Sequence, residues 1–267
     1  MITANRKILI TNDDGIDADG LVRLVKEAIH FGEVWVVSPD GERSAASHSI
    51  SLHTPLDVYP YDFGVEGVHA FTCSGTPADC VRVGSIALMP CRPDIVLSGI
   101  NYGYNTATDL QYSATAGAAF EAAFQGYPAI ALSEGRKGHE VADRYLHAIL
   151  EELLGEISQV MPKDRTAEVN RDDRKGKADM ESSSVGWIWN VNFPECPLEQ
   201  FRGILRDRKV SQSMLFKDGY DLKEKLPNGG MRYMVNGVYQ EIAEEGTDLR
   251  AVLDGYISIG MVANIGQ

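Results

Sequence analysis

The sequence predicts an α/β fold of three layers built on a mostly parallel sheet. Two observations predict it. Short apolar runs rich in β-branched residues alternate with stretches of helical period through the first 160 residues. Each run also ends in turn chemistry, as a strand feeding a loop requires. At 267 residues the chain can bury a sizeable core as one large domain, or as one domain plus an appendage.

The first strand is 7–11, Lys-Ile-Leu-Ile-Thr, and it stops at Asn12-Asp13-Asp14-Gly15. Over 18–31, Leu21, Leu24, Val25, Ala28 and Ile29 fall at helical spacing, with Gly32 where a C-cap belongs. Residues 34–37 form a second buried strand that ends in Ser38-Pro39-Asp40-Gly41. Strand, helix and strand over 7–38 imply a parallel pair with a right-handed crossover. Thr76 caps a helix reaching about residue 88, with Pro77 at its first position and Asp79 three residues after the cap. Strand 94–98 exits into Gly99-Ile100-Asn101-Tyr102-Gly103-Tyr104-Asn105. A small-residue helix at 113–125, a strand at 128–132 and a long amphipathic helix at 141–160 complete a core of residues 1–160.

Residues 163–184 are dense in charge and hold Val169 and Met180 as their large apolar residues, which predicts a solvated loop insert. Residues 187–193 return as a strand, so 185–210 complete the core. Residues 212–240 are turn-rich with aromatics and predict a hairpin, and 256–262 form a last strand, so 211–267 read as hairpin plus C-terminal arm.

Charge narrows the function. Asp plus Glu number 38 against 25 Lys plus Arg, a net charge of −13. Such a field repels long nucleic acids and anionic membrane surfaces. No stretch approaches the ~18 apolar residues of a membrane span. Residues 1–7 lack the long apolar region of a secretory signal, so a cytoplasmic protein is expected. Cys73, Cys80, Cys91 and Cys196 form no C-x-x-C pair and read as buried or half-buried thiols.

In an open parallel sheet, ligands sit beyond the carboxyl ends of the strands. Three predicted strand exits carry dense polar groups. They are Asn12, Asp13 and Asp14; then Asp40, Glu42, Arg43, Ser44, Ser47 and His48; then Ser98, Asn101 and Asn105. Adjacent carboxylates repel unless a cation compensates them. Asp13, Asp14, the Ser44 hydroxyl and the Asn101 carbonyl are oxygen donors, suited to a hard ion such as Mg2+, Mn2+ or Ca2+. Ser113-Ala114-Thr115-Ala116-Gly117 opens a helix, whose free N–H groups favour an anion such as phosphate. Structural readings stand beside these. The Asp pair also serves as a strand terminator and helix cap. Asn101 and Asn105 flank Gly103 as turn residues, and His48 serves equally as a general acid or as a structural hydrogen-bond partner.

Several segments in order resemble one family. They are Ile8-Leu-Ile-Thr-Asn-Asp-Asp-Gly-Ile16, Ser38-Pro-Asp-Gly-Glu-Arg-Ser-Ala-Ala-Ser-His-Ser49, Gly75-Thr-Pro-Ala-Asp-Cys80, the strand and exit at 94–105, and Tyr112-Ser-Ala-Thr-Ala-Gly117. Asn190-Val-Asn-Phe-Pro194 and Glu245-Gly-Thr-Asp-Leu249 follow. The chain resembles the SurE family of stationary-phase survival proteins. That resemblance implies a Rossmann-like core with a smaller hairpin and a swapped C-terminal arm, assembled as homodimers or homotetramers. It implies a metal-dependent phosphomonoesterase acting on nucleoside 5′- or 3′-monophosphates, with some members acting on short polyphosphate. One divalent ion, Mg2+ or Mn2+, is implied at Asp13, Asp14, Ser44 and Asn101. Asn105, Ser113 and Thr115 are implied around the substrate phosphate. Attack by activated water, or an Asp acting as base or nucleophile, are all open. Two departures, Tyr104 for a common proline and Ala114 for a common glycine, place added bulk beside the expected phosphate site.

Two rivals remain. A phosphoacceptor receiver module also carries an acidic pair after its first strand. It requires a nearby Lys that strand 128–132 does not supply, Lys137 coming only later. A haloacid-dehalogenase-type phosphatase requires Asp-x-Asp, which the adjacent pair does not match.

Overall fold

The computed structural model describes residues 6–160 and 185–263, so the charged insert predicted at 163–184 lies outside the described residues. The chain runs β1 (Lys7–Thr11), α1 (Asp19–Ala28), β2 (Glu33–Pro39), β3 (Val58–Tyr61), β4 (His69–Cys73), α2 (Pro77–Val83), β5 (Ile95–Tyr102), α3 (Ala114–Phe124), β6 (Ala129–Glu134), α4 (Glu140–Val160) and β7 (Trp187–Phe193). It continues through β8 (Gly203–Leu205), β9 (Phe216–Lys217), β10 (Tyr220–Lys225), β11 (Met231–Val235), β12 (Val238–Tyr239), α5 (Asp248–Leu253) and β13 (Tyr256–Ala263).

Among the described residues one sheet has the order β3-β4-β2-β1-β5-β6-β7-β13-β8. From β4 to β7 every neighbouring pair is parallel. β3 lies antiparallel at one edge, and β13 runs against β7 with β8 parallel to β13. Alternation within β1 shows how the layers form. Ile8 and Ile10 pack in one core with α1 and α4, while Leu9 packs in a second core with α2 and α3. Strands covered on both faces explain the continuous apolar runs.

Connectivity places the site. The chain steps outward from β1 to β2 and β4, then crosses back to lay β5 on the other side of β1. Such a switch point opens a crevice at the carboxyl ends of β1 and β5. Gly20 sets the depth of α1 above it: a Cβ there would stand 2.1 Å from the Ile100 carbonyl oxygen. β5 shifts register between Ser98 and Asn101, a bulge that re-aims Asn101 at the rim.

Several elements differ from the sequence reading. α1 closes at Ala28, because His30 and Phe31 donate to the carbonyls of Glu27 and Ala28 and tighten the turn. β3, β4, β8 and α5 carry weak sequence signals: β3 holds Pro60 and is largely exposed, and β8 spans three residues. The capping box at Thr76 and Asp79 is present, and a π-helical turn carries the stretch from α2 to Leu88. All four cysteines are free, Cys73 and Cys80 buried and the other two half-buried.

Residues 211–267, expected as hairpin plus arm, divide in two. β9 pairs with β12 and β10 with β11 as an appendage, and every residue of β10 and β11 is exposed. β13 lies in the main sheet beside β7, where Ile257 and Ile259 complete the core under α4. No helix among the described residues is long and apolar enough to cross a membrane.

Candidate active site

The exits of β1, β2 and β5 meet at the crevice. The first turn after β1 is held from within: the Asn12 side-chain amide donates to the Gly15 carbonyl at 2.9 Å, and Gly15 itself sits at φ 100°. This turn points the two following carboxyls in different directions. Asp13 is only 4% exposed, and its Oδ1 accepts from the Thr115 hydroxyl at 2.6 Å. Asp14 is half-buried, and its Oδ2 accepts from the Tyr102 backbone N–H at 3.1 Å. The pair therefore bridges α3 on one side and the β5 exit on the other.

Burial dominates the electrostatics. It pushes the Asp13 carboxyl from 3.8 up to about 7, with the Thr115 bond opposing and the Asp14 charge adding to the rise. Burial also raises Asp14, against the Tyr102 N–H and the Arg136 charge, with Glu42 adding to the rise. Among the described residues, neither carboxylate has a Lys, Arg or His within ion-pair distance. A buried carboxylate beside a half-buried one, neither in an ion pair, is a strained arrangement for protein alone and a good one for a small cation.

The neutral donors are placed by their own bonds. The Asn101 Nδ2 donates to the Gly103 carbonyl at 2.8 Å, which leaves the carbonyl Oδ1 as its free donor to a cation. The β2 exit reaches the pair through Arg43, whose N–H donates to the Asp13 carbonyl at 2.7 Å. Next to it the Ser44 hydroxyl donates to Glu42 Oε1 at 2.7 Å. The donor set of two carboxylates, one amide oxygen and one hydroxyl fits a hard divalent ion that keeps open positions. Among the described residues no group of three or more His, Cys, Asp or Glu side chains is placed to hold a metal, so any ion here relies on these mixed oxygens.

The predicted phosphate contacts land in different places. Ser113 caps α3, its Oγ accepting from Ala116 N–H at 2.9 Å, and the helix leaves the N–H groups of Ala114 and Thr115 without intrahelical partners. Thr115 is fully buried, and its hydroxyl proton goes to Asp13. Asn105 is deeper than a surface turn residue. Its Nδ2 donates to Ser133 Oγ at 2.8 Å, and the amides of Asn190 and Asn192 on β7 donate to its carbonyl. α3 reaches this position through Gly117, where a Cβ would stand 2.3 Å from the Ser47 carbonyl oxygen. Thr115→Val removes the bond that opposes the rise of the Asp13 carboxyl and is expected to push its titration higher still. A carbon-13 NMR titration of Asp13 checks it, with the melting temperature as the control for folding.

Other residues are tied to partners within the fold. His48 Nε2 meets Glu121 Oε2 at 2.8 Å, and Arg82 meets Glu121 Oε1 at 3.0 Å. Burial pushes the Glu121 carboxyl up, but the His48 and Gln125 bonds and the Arg82 charge override it and leave it below its ordinary value. Tyr104 turns away from the Asp pair: its hydroxyl accepts from the Glu195 N–H at 2.7 Å, and its ring packs with Leu215 and Leu249. Ala114 is fully buried. Lys137, the one candidate for a receiver-type lysine, is paired with Glu195 at 3.1 Å. Two rim residues were given no role by the sequence reading. Glu42 acts on both carboxylates, and Arg136 lies near Asp14. Glu42 stood among the polar groups of the β2 exit, two residues before Ser44, without a role of its own.

Comparison with known proteins supplies the lineage. Residues 8–214 match the family model described as Survival protein SurE. The chain is 35% identical over 261 residues to a protein of Pelobacter propionicus named 5′-nucleotidase SurE, covering 94% of this chain and 91% of that protein. It is 36% identical to a protein of Erwinia tasmaniensis named 5′/3′-nucleotidase SurE, covering 95% of this chain and 88% of that one. The crystal structure of a SurE protein from Aquifex aeolicus superposes with a TM-score of 0.73 at 30% identity, over 98% of this chain and 94% of that one. With its motifs in order along a shared Rossmann-like sheet, the chain belongs to the SurE family.

Proposed function

We propose that the protein is a divalent-metal-dependent phosphomonoesterase that converts nucleoside 5′-monophosphates, and 3′-monophosphates, to nucleoside and phosphate. The observation that carries the reading is the Asp13–Asp14 pair at the switch point, with Asp13 buried, Asp14 half-buried and neither held in an ion pair among the described residues. The relatives named 5′-nucleotidase and 5′/3′-nucleotidase support the substrate class.

Asp13, Asp14, the Ser44 hydroxyl and Asn101 Oδ1 would hold one Mg2+ or Mn2+. A bound ion of this kind supplies charge neutralisation, polarisation of phosphoryl oxygen and acidification of water. Asp13, locked by Thr115, holds its position, while the half-exposed Asp14 keeps a carboxylate oxygen toward solvent for proton transfer from attacking water. The free N–H groups at the start of α3 and the Ser113 hydroxyl receive phosphate oxygens, and Asn105 fixes the floor of the pocket.

The test is phosphate release from a panel of nucleoside mono- and diphosphates, sugar phosphates and polyphosphate, each with Mg2+, Mn2+ or EDTA. Metal-dependent release from the nucleoside monophosphates is expected, with the highest kcat/KM in the panel. Faster turnover of sugar phosphates or polyphosphate would instead assign the site to other small phosphate esters, and no release under any metal would defeat the reading.

A homodimer or homotetramer is part of the same reading. Tyr220, Met231, Tyr233, Met234 and Val235 on the hairpin are about half exposed or more, an apolar edge that a second copy would cover. Sedimentation is expected to give a dimer or tetramer for the full chain and a monomer after replacement of residues 218–236 by a short polar loop. A monomeric full chain contradicts it.

A further inference from the structure

The loop after β6 brings a guanidinium to the rim of the site, and no feature of the sequence reading gave it a role. Its backbone is tied down from below. Glu195 Oε2 accepts from the Arg136 N–H at 3.0 Å and from the Lys137 N–H at 3.2 Å, and the Glu195 N–H in turn donates to the Tyr104 hydroxyl. Gly135 leaves room for this clamp: a Cβ there would stand 2.7 Å from the Tyr104 hydroxyl oxygen. Tyr104, which departs from the family's proline, thus serves to hold the 135–137 loop.

From that loop the Arg136 side chain reaches back over the β5 exit. Its guanidinium lies 5.7 Å from the centre of the Tyr102 ring, and the Tyr102 hydroxyl donates to the Arg136 carbonyl at 2.9 Å. A Cβ at Gly103 would stand 3.1 Å from Arg136 Nε, so the glycine, at φ 129°, gives the arm room to lie low over the strand exit. Tyr102 N–H is the donor to Asp14, and the Gly103 carbonyl is the acceptor for Asn101. Arg136 therefore rests on the two residues that orient Asp14 and Asn101.

The charges at this rim are otherwise committed. Arg43 pairs with Asp40, Lys137 with Glu195, and Arg23 with Glu134, Asp19 and Asp143. Among the described residues no carboxylate lies within ion-pair distance of Arg136, although its charge is close enough to Asp14 to pull that carboxyl down against burial. A phosphate dianion approaching Asp13, Asp14, Asp40 and Glu42 needs positive charge beyond what one divalent ion supplies. A planar guanidinium supplies it with paired donors matched to phosphate oxygens.

We propose that the Arg136 guanidinium is a substrate contact, binding the anionic oxygens of the phosphoryl group across the rim from Asp14. This rests on the phosphomonoesterase reading above.

The experiment compares the Mn2+-loaded wild type with Arg136→Ala and Arg136→Lys. It measures KM and kcat for a nucleoside 5′-monophosphate and competitive inhibition by inorganic phosphate. Arg136→Ala is expected to weaken phosphate inhibition by about 10-fold and to lower kcat/KM by roughly 10–100-fold, with the melting temperature unchanged. Arg136→Lys should recover part of the loss, and added guanidinium ion should restore Arg136→Ala while leaving the wild type unaffected. KM and phosphate inhibition within twofold of wild type in Arg136→Ala overturn the proposal. Should the wild type release no phosphate from any nucleotide, the activity reading fails on its own. Calorimetric binding of inorganic phosphate then decides Arg136: weaker binding to Arg136→Ala supports the contact, and equal binding removes it.

Discussion

Asp14→Asn is expected to abolish turnover of nucleoside monophosphates, with a loss of kcat/KM on the order of 10³-fold or more. The substitution keeps the shape of the side chain and an oxygen to accept the Tyr102 N–H now bonded at 3.1 Å. It removes only the charge and the proton-accepting oxygen. A loss beyond the 10–100-fold typical of a supporting residue marks a group that ligates the ion or takes part in the chemistry. Phosphate release across a range of Mn2+ concentrations is the measurement. Activity within tenfold of wild type at saturating Mn2+ removes Asp14 from the mechanism.

Without metal, the protein is expected to lose stability as pH rises from about 4 through 7, and Asp13 is the reason. Its carboxyl titrates near 3.8 in the unfolded chain and at about 7 in the folded one. The raised folded value means that protons bind the native state more tightly, so its contribution is fully present below 3.8 and is lost as pH climbs through 7. Above that pH the ionised, buried carboxylate costs on the order of 4 kcal/mol. For a chain of this size, that corresponds to a fall in melting temperature of roughly 8–15 °C. Asp13→Asn keeps an oxygen for the Thr115 hydroxyl and should flatten the profile, making the metal-free variant the more stable protein at pH 8. Mn2+ should raise the melting temperature of the wild type at pH 8 and leave Asp13→Asn nearly unmoved. A flat wild-type profile between pH 4 and 8 would contradict the burial of an uncompensated charge. Such a cost in the metal-free chain, tolerated for the sake of the site, follows the usual opposition between stability and function.

The sheet was legible wherever strands were buried on both faces. β1, β2, β5, β6 and β7 announce themselves as apolar runs because both cores require it. β3 did not, because it is an edge strand with Pro60 and two exposed residues, and β4 did not, because its five residues are only partly buried. The acidic pair was legible because adjacent Asp residues after a buried strand have few inexpensive explanations. Its supports were not. The bond from Thr115 to Asp13 depends on how α3 docks at Gly117 against the Ser47 carbonyl, a contact 70 residues apart in sequence. Tyr104 looked like bulk in the phosphate site, yet its side chain turns toward Glu195 and the Leu215 cluster. Arg136 left no local pattern at all: Glu195, from beyond β7, and Tyr102, on β5, hold it at the rim.

The proposed divalent ion would sit between Asp13 and Asp14 at the switch point, and anomalous diffraction at the manganese edge from crystals grown with Mn2+ would locate it. One peak per subunit is expected, bonded at about 2.0–2.6 Å to carboxylate oxygens of Asp13 and Asp14, to Asn101 Oδ1 and to the Ser44 hydroxyl. A crevice without a peak at saturating Mn2+, or a peak held by other residues, contradicts the account.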